Sequence, residues 1–441
     1  MANVAIILDN KSRDLDGISF LINSLRNRHF KVFIVPQNLM QFELRLIKFD
    51  FIIFNFYRSY NANLIHEILN SGIHVGVSDT EGGIFSDLNI FFNTWPNNSM
   101  ASKYSNFHYF FWGPRLMHLA IKKNITNQKT SYLVGSPRFD IYKNFGKKYI
   151  KNIKKQDDFI LINTNYPFFN PKFNSGLKEL ERSITLYQNN IFYENLFETQ
   201  KKEFNETINL AKYLARHSGF KIKIRPHPFE NYAIYENIFA SYDNVNIEYK
   251  GSAFKSIKKS ILVIQRGCST GLESRLLGKL SISPDWPPYK HKTLVDQGNV
   301  FIKTKKELLA LLKQNKKCNY KKIIPIRSET KRNIRDFLYK IDGKASERIS
   351  AIINNEIKFS KKSILSYFFI KCLFVKFIYC FFYKNQRIYL SERKKWKTSD
   401  KYLTCDDLYE NLTFLGLECR SNKIENAKIA NHSLCTIVIH S

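Results

Sequence analysis

The sequence lacks every cysteine pattern that would point to a metal finger or a disulfide framework. Its seven cysteines, Cys268, Cys318, Cys372, Cys380, Cys405, Cys419 and Cys435, show no CxxC spacing, and an odd count fits reduced, cytosolic thiols. No His/Cys cluster has ligand spacing, and the only DxD run, Asp14 to Asp16, lies away from the loops singled out below. Chemistry without a metal or other cofactor is therefore expected. No secretory leader is expected, because MANVAIILDN runs straight into a strand and its short apolar stretch soon meets charge. Also missing is an unbroken apolar run of about 20 residues, the length a spanning helix needs. The nearest approach, Ser363 to Tyr383, is interrupted by Lys371 and Lys376, and central lysines each cost about 2.5 to 3.5 kcal/mol on insertion scales. Acidic residues are scarce: 38 Asp and Glu face 69 Lys and Arg, a formal charge of +31. That balance favours an anionic partner, a membrane surface or a nucleotide. Because Lys, Asn, Ile and Phe are abundant throughout, the charge is partly background, and no specific nucleic-acid binding is expected.

What is present is an alternation of strand and helix signals. Val4 to Leu8, Lys31 to Val35, Phe49 to Phe54 and His74 to Val77 are short β-branched or aromatic runs, most of them separated by segments of helical length. Such a βαβα rhythm implies a parallel sheet covered by helices. At 441 residues there is room for two domains of roughly 100 to 200 residues. The first is expected over residues 1–146, and the lysine-rich Lys147 to Asp158 reads as an exposed connector. The second, over 159–350, opens with a strand at Phe159 to Asn163 and continues through a long helix, Asn190 to His217. Strands at Lys221 to Arg225, Val245 to Tyr249 and Ile261 to Ile264 follow, then a helix from Thr304 to Leu312. Between strand and long helix, Phe168 to Gln188 shows no clear periodicity and reads as a functional loop.

Two loops carry the strongest chemical signal. KIKIRPHPFE (Lys221 to Glu230) places Arg225 and His227 at the carboxyl end of a strand that Pro226 and Pro228 stop. RGCSTGLE (Arg266 to Glu273) follows the next apolar run and opens a helix. Ligands of doubly wound sheets bind outside the carboxyl ends of strands, and a helix amino terminus is an anion site. A phosphate-bearing ligand follows. His227 could donate a hydrogen bond to a phosphate or cap its turn locally; Arg225 could pair bidentately with phosphate or form a salt bridge between lobes. Gly267 and Gly271 would permit close backbone approach, and Ser269 and Thr270 would offer hydroxyls and amides to phosphate oxygens. Elsewhere, DTEGG (Asp79 to Gly83) follows a strand and exposes two carboxylates in a tight turn. Glycosyl transfer needs such groups. Glu81 is favoured as acid/base, with Asp79 beside it or serving only as an Asx turn. Asp140, closing GSPRFD, is the second candidate, with Arg138 as a substrate contact or as its ion-pair partner. Trp112 and Gly113 suit packing.

The pairing of RPHP with a Ser/Thr loop and a downstream Glu resembles the CMP-binding half of bacterial sialyl- and Kdo-transferases. DTEGG, WG, GSPRFD and DGKASERI (Asp342 to Ile349), in this order, resemble bacterial surface carbohydrate (capsule or O-antigen) biosynthesis proteins over most of residues 1–350. The resemblance implies an α/β fold of two Rossmann-like lobes, GT-B-like, facing an interlobe cleft, plus a basic aromatic C-terminal extension. It implies a glycosyltransferase moving a sugar, Kdo or another ulosonic acid, from a CMP-linked donor to a lipid-linked glycan. Glu273 would accept hydrogen bonds from the ribose, and Asp140 resembles a nucleophile position in retaining Kdo transferases. A CDP-polyol phosphotransferase, or a non-catalytic basic scaffold binding membrane or polysaccharide, would account for the same features. Residues 361–385 are expected as a helix lying in the interface of an anionic membrane, or else buried on the second lobe. The enzyme is then cytoplasmic, held at the inner face of the cytoplasmic membrane. Residues 390–441 are expected as an appended extension without a readable role.

Overall fold

The computed structural model describes residues 1–82, 95–96, 101–143, 159–187, 190–286, 296, 299–317, 335–357, 367–382, 400–429 and 432–440. The expected connector, Lys147 to Asp158, lies outside them. The chain divides into two compact units, Met1–Lys148 with Asn333–Ser441, and Tyr149–Arg332.

In the first unit, β1 (Asn3–Leu8), β2 (Lys31–Pro36), β3 (Phe51–Phe54), β4 (His74–Val77), β5 (Phe107–Phe111) and β6 (Ser131–Leu133) are parallel neighbours in the order β2-β1-β3-β4-β5-β6. Val4, Ala5, Phe51, Ile52 and Val75 are fully buried, as parallel strands covered on both faces require. Between the strands, α1 (Lys11–Arg26) starts at Asn10, whose side chain accepts the Arg13 N–H. α2 (Ser59–Asn70) and α3 (Pro114–Lys122) follow, the latter with Pro at its start. At Gly17 a Cβ would stand 2.8 Å from the Arg138 backbone nitrogen, so α1 meets the GSPRFD turn at a contact open to glycine alone.

In the second unit, β7 (Phe159–Asn163), β8 (Lys221–Arg225), β9 (Val245–Ile247), β10 (Leu262–Ile264), β11 (Leu280–Pro284) and β12 (Val300–Ile302) form one parallel sheet, ordered β9-β8-β7-β10-β11-β12. This is the doubly wound 3-2-1-4-5-6 arrangement, whose order reverses between its first and fourth strands, here β7 and β10. Its helices are α4 (Gly176–Tyr187), α5 (Asn190–His217), α6 (Tyr232–Phe239), α7 (Ala253–Lys259), α8 (Thr270–Leu276) and α9 (Lys305–Lys317). Most of the segment expected as a loop, Phe168 to Gln188, is α4 instead. Leu177, Leu180 and Ile184 recur at three- and four-residue steps, a helical spacing that polar neighbours dilute.

The chain then returns to the first unit. α10 (Ala345–Ile357) packs beside α1, and its first amides, from Ala345 and Ser346, donate to the two oxygens of Asp140 at 3.0 and 2.8 Å. Residues 335–350, expected in the second lobe, fall in the first unit. α11 (Tyr367–Phe382) lays Phe368 and Cys372 into the first unit's core and pairs Lys371 with Glu67 at 2.7 Å. The alternative of burial on the second lobe is corrected: one face rests on the first unit. Ile370, Leu373, Phe374 and Phe377 are exposed. Among the described residues no helix is long and apolar enough to cross a membrane.

The terminal segment is integral to the sheet. After α12 (Cys405–Phe414), capped by a Thr404/Asp407 capping box, β13 (Ile424–Ile429) and β14 (His432–Ile439) form a hairpin, and β14 pairs antiparallel with β2. Buried Glu43 accepts the Cys435 and Thr436 amides at 2.9 and 2.8 Å. Residues expected as an appendage supply two of the eight strands of the first sheet.

Candidate functional site

The second unit's reversal point lies where sequence reading places its loops. Beyond β7, Asn165 Nδ2 donates to the Gly267 carbonyl at 3.0 Å, joining that loop to the one after β10. The loop after β8 is joined to the same place by Glu230, which lies inside the RPHPFE run yet was given no role. Glu230 is 1% exposed. Its Oε1 accepts the Thr164 hydroxyl at 2.8 Å, the Tyr166 amide at 2.9 Å and the His227 amide at 3.2 Å, while Oε2 accepts the Tyr235 hydroxyl. Burial pushes its carboxyl above the ordinary range, against these donors. Three strand-end loops are thus tied to one buried frame.

On that frame, the His227 Nδ1 accepts the Phe229 N–H at 3.3 Å, which assigns the proton of the neutral ring to Nε2. Arg225, expected at a phosphate or in a salt bridge between lobes, pairs inside its own unit with Glu248 at 3.1 Å and donates to the carbonyls of Lys250 and Gly251. It organises the end of β9. After β10, Gly267 takes φ +56°, a left-handed turn suited to glycine, and its amide donates to buried Asp296 at 3.2 Å. Asp296, missed in the sequence, also accepts from Gln265 and Ser283 at 3.3 and 3.4 Å. At Gly271 a Cβ would fall 2.5 Å from Gln265 Nε2, so a side chain there would displace the Gln265 amide. Ser269 donates to Glu273 at 3.1 Å, and Glu273 is buried. Among the described residues the buried Thr270 hydroxyl makes no hydrogen bond.

The first unit's order reverses between β1 and β3, and a pocket lies there, lined by Asp14, Gly17, Asn55, Asp79, Thr80 and Arg138 among others. Asp79 is 1% exposed and pairs with Arg58 at 2.9 Å. Its other oxygen accepts the Glu81 N–H at 2.9 Å, the Asx-turn geometry. The expectation that this turn exposes both carboxylates is corrected: Asp79 is buried by its pairing, and only Glu81, with a side chain 46% exposed, reaches solvent. Burial and the neighbouring Asp79 charge raise the Glu81 carboxyl above its usual 4.5, with Arg13 and Arg58 opposing. Arg13 completes the cluster through Asp9 at 2.8 Å, Asp14 at 2.6 Å and the Thr80 hydroxyl at 3.3 Å. Lys401, from the terminal segment, reaches Asp9.

The Asp140 expectation is corrected by the two α10 amides that fill its oxygens. A buried carboxylate saturated by helix-end donors is an anchor. Arg138 lies in the same turn and lines the pocket. Trp112 is buried with its ring edge-on to Phe139. A Cβ on Gly113 would meet the Phe337 backbone at 2.3 Å, so WG serves packing. The Asp14–Asp16 run is absorbed internally: Asp14 holds Arg13, and Asp16 accepts from Asn411 at 2.8 Å.

No protein-family model and no curated protein matches the sequence. Among solved structures, the chain is similar to MnaA of S. aureus in complex with UDP, at 12% identity and a TM-score of 0.51, covering 82% of this chain and 99% of that one. It is similar also to a variant of the wall teichoic acid polymerase TagF, at 12% identity and a TM-score of 0.51, covering 81% and 89%. At this identity the likeness is one of fold, and the fold is GT-B-like α/β, two units each built on a largely parallel, doubly wound sheet.

Proposed function

We propose that this chain is a glycosyltransferase of bacterial surface-polysaccharide synthesis that draws a sugar from a nucleotide donor bound at the second unit's strand ends. The observation that carries this reading is the convergence of the loops after β7, β8 and β10 on the sheet's reversal point, tied together by Glu230 and by the Asn165 to Gly267 hydrogen bond. A GT-B-like fold shared with a UDP complex and with a teichoic acid polymerase supports a nucleotide-linked donor and an envelope polymer as product.

In this reading His227 donates from Nε2 to a donor phosphate, and the Ser269 and Thr270 hydroxyls and amides hold the other phosphate oxygens. Glu273 accepts from the ribose after exchanging its Ser269 partner. The acceptor hydroxyl attacks the anomeric carbon, the bond from that carbon to the phosphate oxygen breaks, and the nucleotide leaves with both electrons of that bond. Glu81 takes the hydroxyl proton, its raised carboxyl placing it nearer working pH. CMP as the nucleotide, Kdo or another ulosonic acid as the sugar, and a lipid-linked glycan as acceptor rest on the resemblance of RPHP and the Ser/Thr loop. The exposed row on α11, Ile370, Leu373, Phe374 and Phe377, within a lysine-rich stretch of sequence, supports attachment to the inner face of the cytoplasmic membrane.

A second reading, phosphopolyol transfer from a CDP-polyol, is favoured by the fold shared with the teichoic acid polymerase. Incubation with a panel of activated sugars, CMP-Kdo generated in place among them, and a glycolipid extract separates the two by product mass. Gain of a sugar without phosphorus supports glycosyl transfer, and gain of a phosphopolyol replaces it with the second reading. Failure of CMP, CDP and UDP to bind in calorimetry would return the chain to a basic scaffold.

A further inference from the structure

At the opposite, amino-terminal edge of the first sheet, three side chains meet that no motif links. His74 opens β4, His108 is the second residue of β5, and Glu356 is the penultimate residue of α10. The His74 Nδ1 and His108 Nε2 stand 2.9 Å apart, and one ligand atom from each of the three residues lies within 4.8 Å of the others. We propose that His74, His108 and Glu356 form a binding site for a divalent transition-metal ion of the zinc class, which fastens α10 to the sheet.

Two imidazoles and one carboxylate suit such ions, and ligand atoms on a tetrahedral zinc stand roughly 3.3 Å apart. The two nitrogens therefore need to open only slightly. Both histidines are buried, His108 completely, and they stack on each other and on Phe51 at ring separations of 5.2, 5.9 and 5.5 Å. Among the described residues the His108 Nδ1 makes no hydrogen bond. Glu356 forms no ion pair among the described residues, and the Tyr132 hydroxyl donates to its Oε1 at 3.0 Å, as an outer partner that orients a ligating carboxylate would.

The placement assigns the ion a structural task. The pocket of the first unit lies at the carboxyl ends of the strands, whereas these residues lie at the amino ends, so the ion would not touch the reaction. α10 is anchored at its start by Asp140 and, with the ion, would be fastened at its end as well. It belongs to the segment that rejoins the first unit only after the whole second unit has been traversed, so the ion would close that unit across the excursion.

The test is titration of the untagged, chelator-treated full chain with Zn(II), and with Co(II) for its visible spectrum. One equivalent per chain, Co(II) bands with nitrogen ligation and a raised Tm are expected. Half-buried Glu356→Gln should weaken binding at least tenfold while the apo protein stays folded, His108→Gln should abolish the Co(II) bands, and Tyr132→Phe should weaken binding roughly tenfold. Failure of either ion to bind, or binding with unchanged affinity and spectrum in Glu356→Gln, would overturn the site. Should His108→Gln not fold, Glu356→Gln alone decides.

Discussion

The reversal points of the two sheets carry carboxylates in opposite ways. In the second unit Glu230 and Asp296 are buried and filled by hydroxyl, amide and side-chain donors from three loops. They hold loops in place, and both oxygens of Glu230 are filled. In the first unit Asp9, Asp14 and Asp79 are matched by Arg13, Arg58 and Lys401, and Glu81 alone remains half exposed. A buried carboxylate surrounded by donors acts as a frame, and one crowded by charge at a solvent edge is available for proton transfer. Under the proposed function, similar sheets take different tasks, ligand positioning in one unit and proton chemistry in the other.

That contrast can be broken at four points. The largest effect is expected from Glu81→Gln, which should lower transfer by roughly 10² to 10⁴ while calorimetry finds donor affinity unchanged; retention of full activity would remove Glu81 from the chemistry. Glu230→Ala leaves several buried donors without an acceptor and should lower stability by about 3 kcal/mol, read as a shift of the denaturant midpoint at constant slope. A change confined to activity would show that Glu230 is no frame. His227→Ala should weaken nucleotide binding by roughly tenfold, the value of one charge-assisted hydrogen bond at about 1.4 kcal/mol, with the midpoint unmoved.

The smallest effect concerns pH. The Glu81 carboxyl is raised in the folded state, so its ionisation costs stability above the folded value, and the cost vanishes below the usual 4.5. Glu81→Gln should therefore raise Tm slightly at neutral pH, the gain shrinking as pH falls. A gain that grows on acidification would reverse the assigned direction.

Much of this arrangement is legible in the residues themselves. Val4 to Leu8, Lys31 to Val35 and Phe159 to Asn163 announce their strands by β-branched runs, and each lies within one residue of the observed strand. RPHP and RGCSTGLE announce strand-end loops because prolines and small residues punctuate the pattern there. Asp79 and Asp140 were less legible. Whether a carboxylate at a turn reaches solvent depends on its partners, and those are Arg58, 21 residues away, and the Ala345 amide, 205 residues away. The terminal hairpin was illegible for a similar reason: an edge strand declares its pattern but not the sheet it will join.

The sequence by itself determined the alternation of strands and helices and the turns that end the strands, since these follow from local periodicity and turn chemistry. Only the tertiary structure decided which acids are frame and which is exposed, that the last strands complete the first sheet, and that His74, His108 and Glu356 meet. Burial and pairing between residues tens to hundreds of positions apart are set by packing, and no local pattern encodes them.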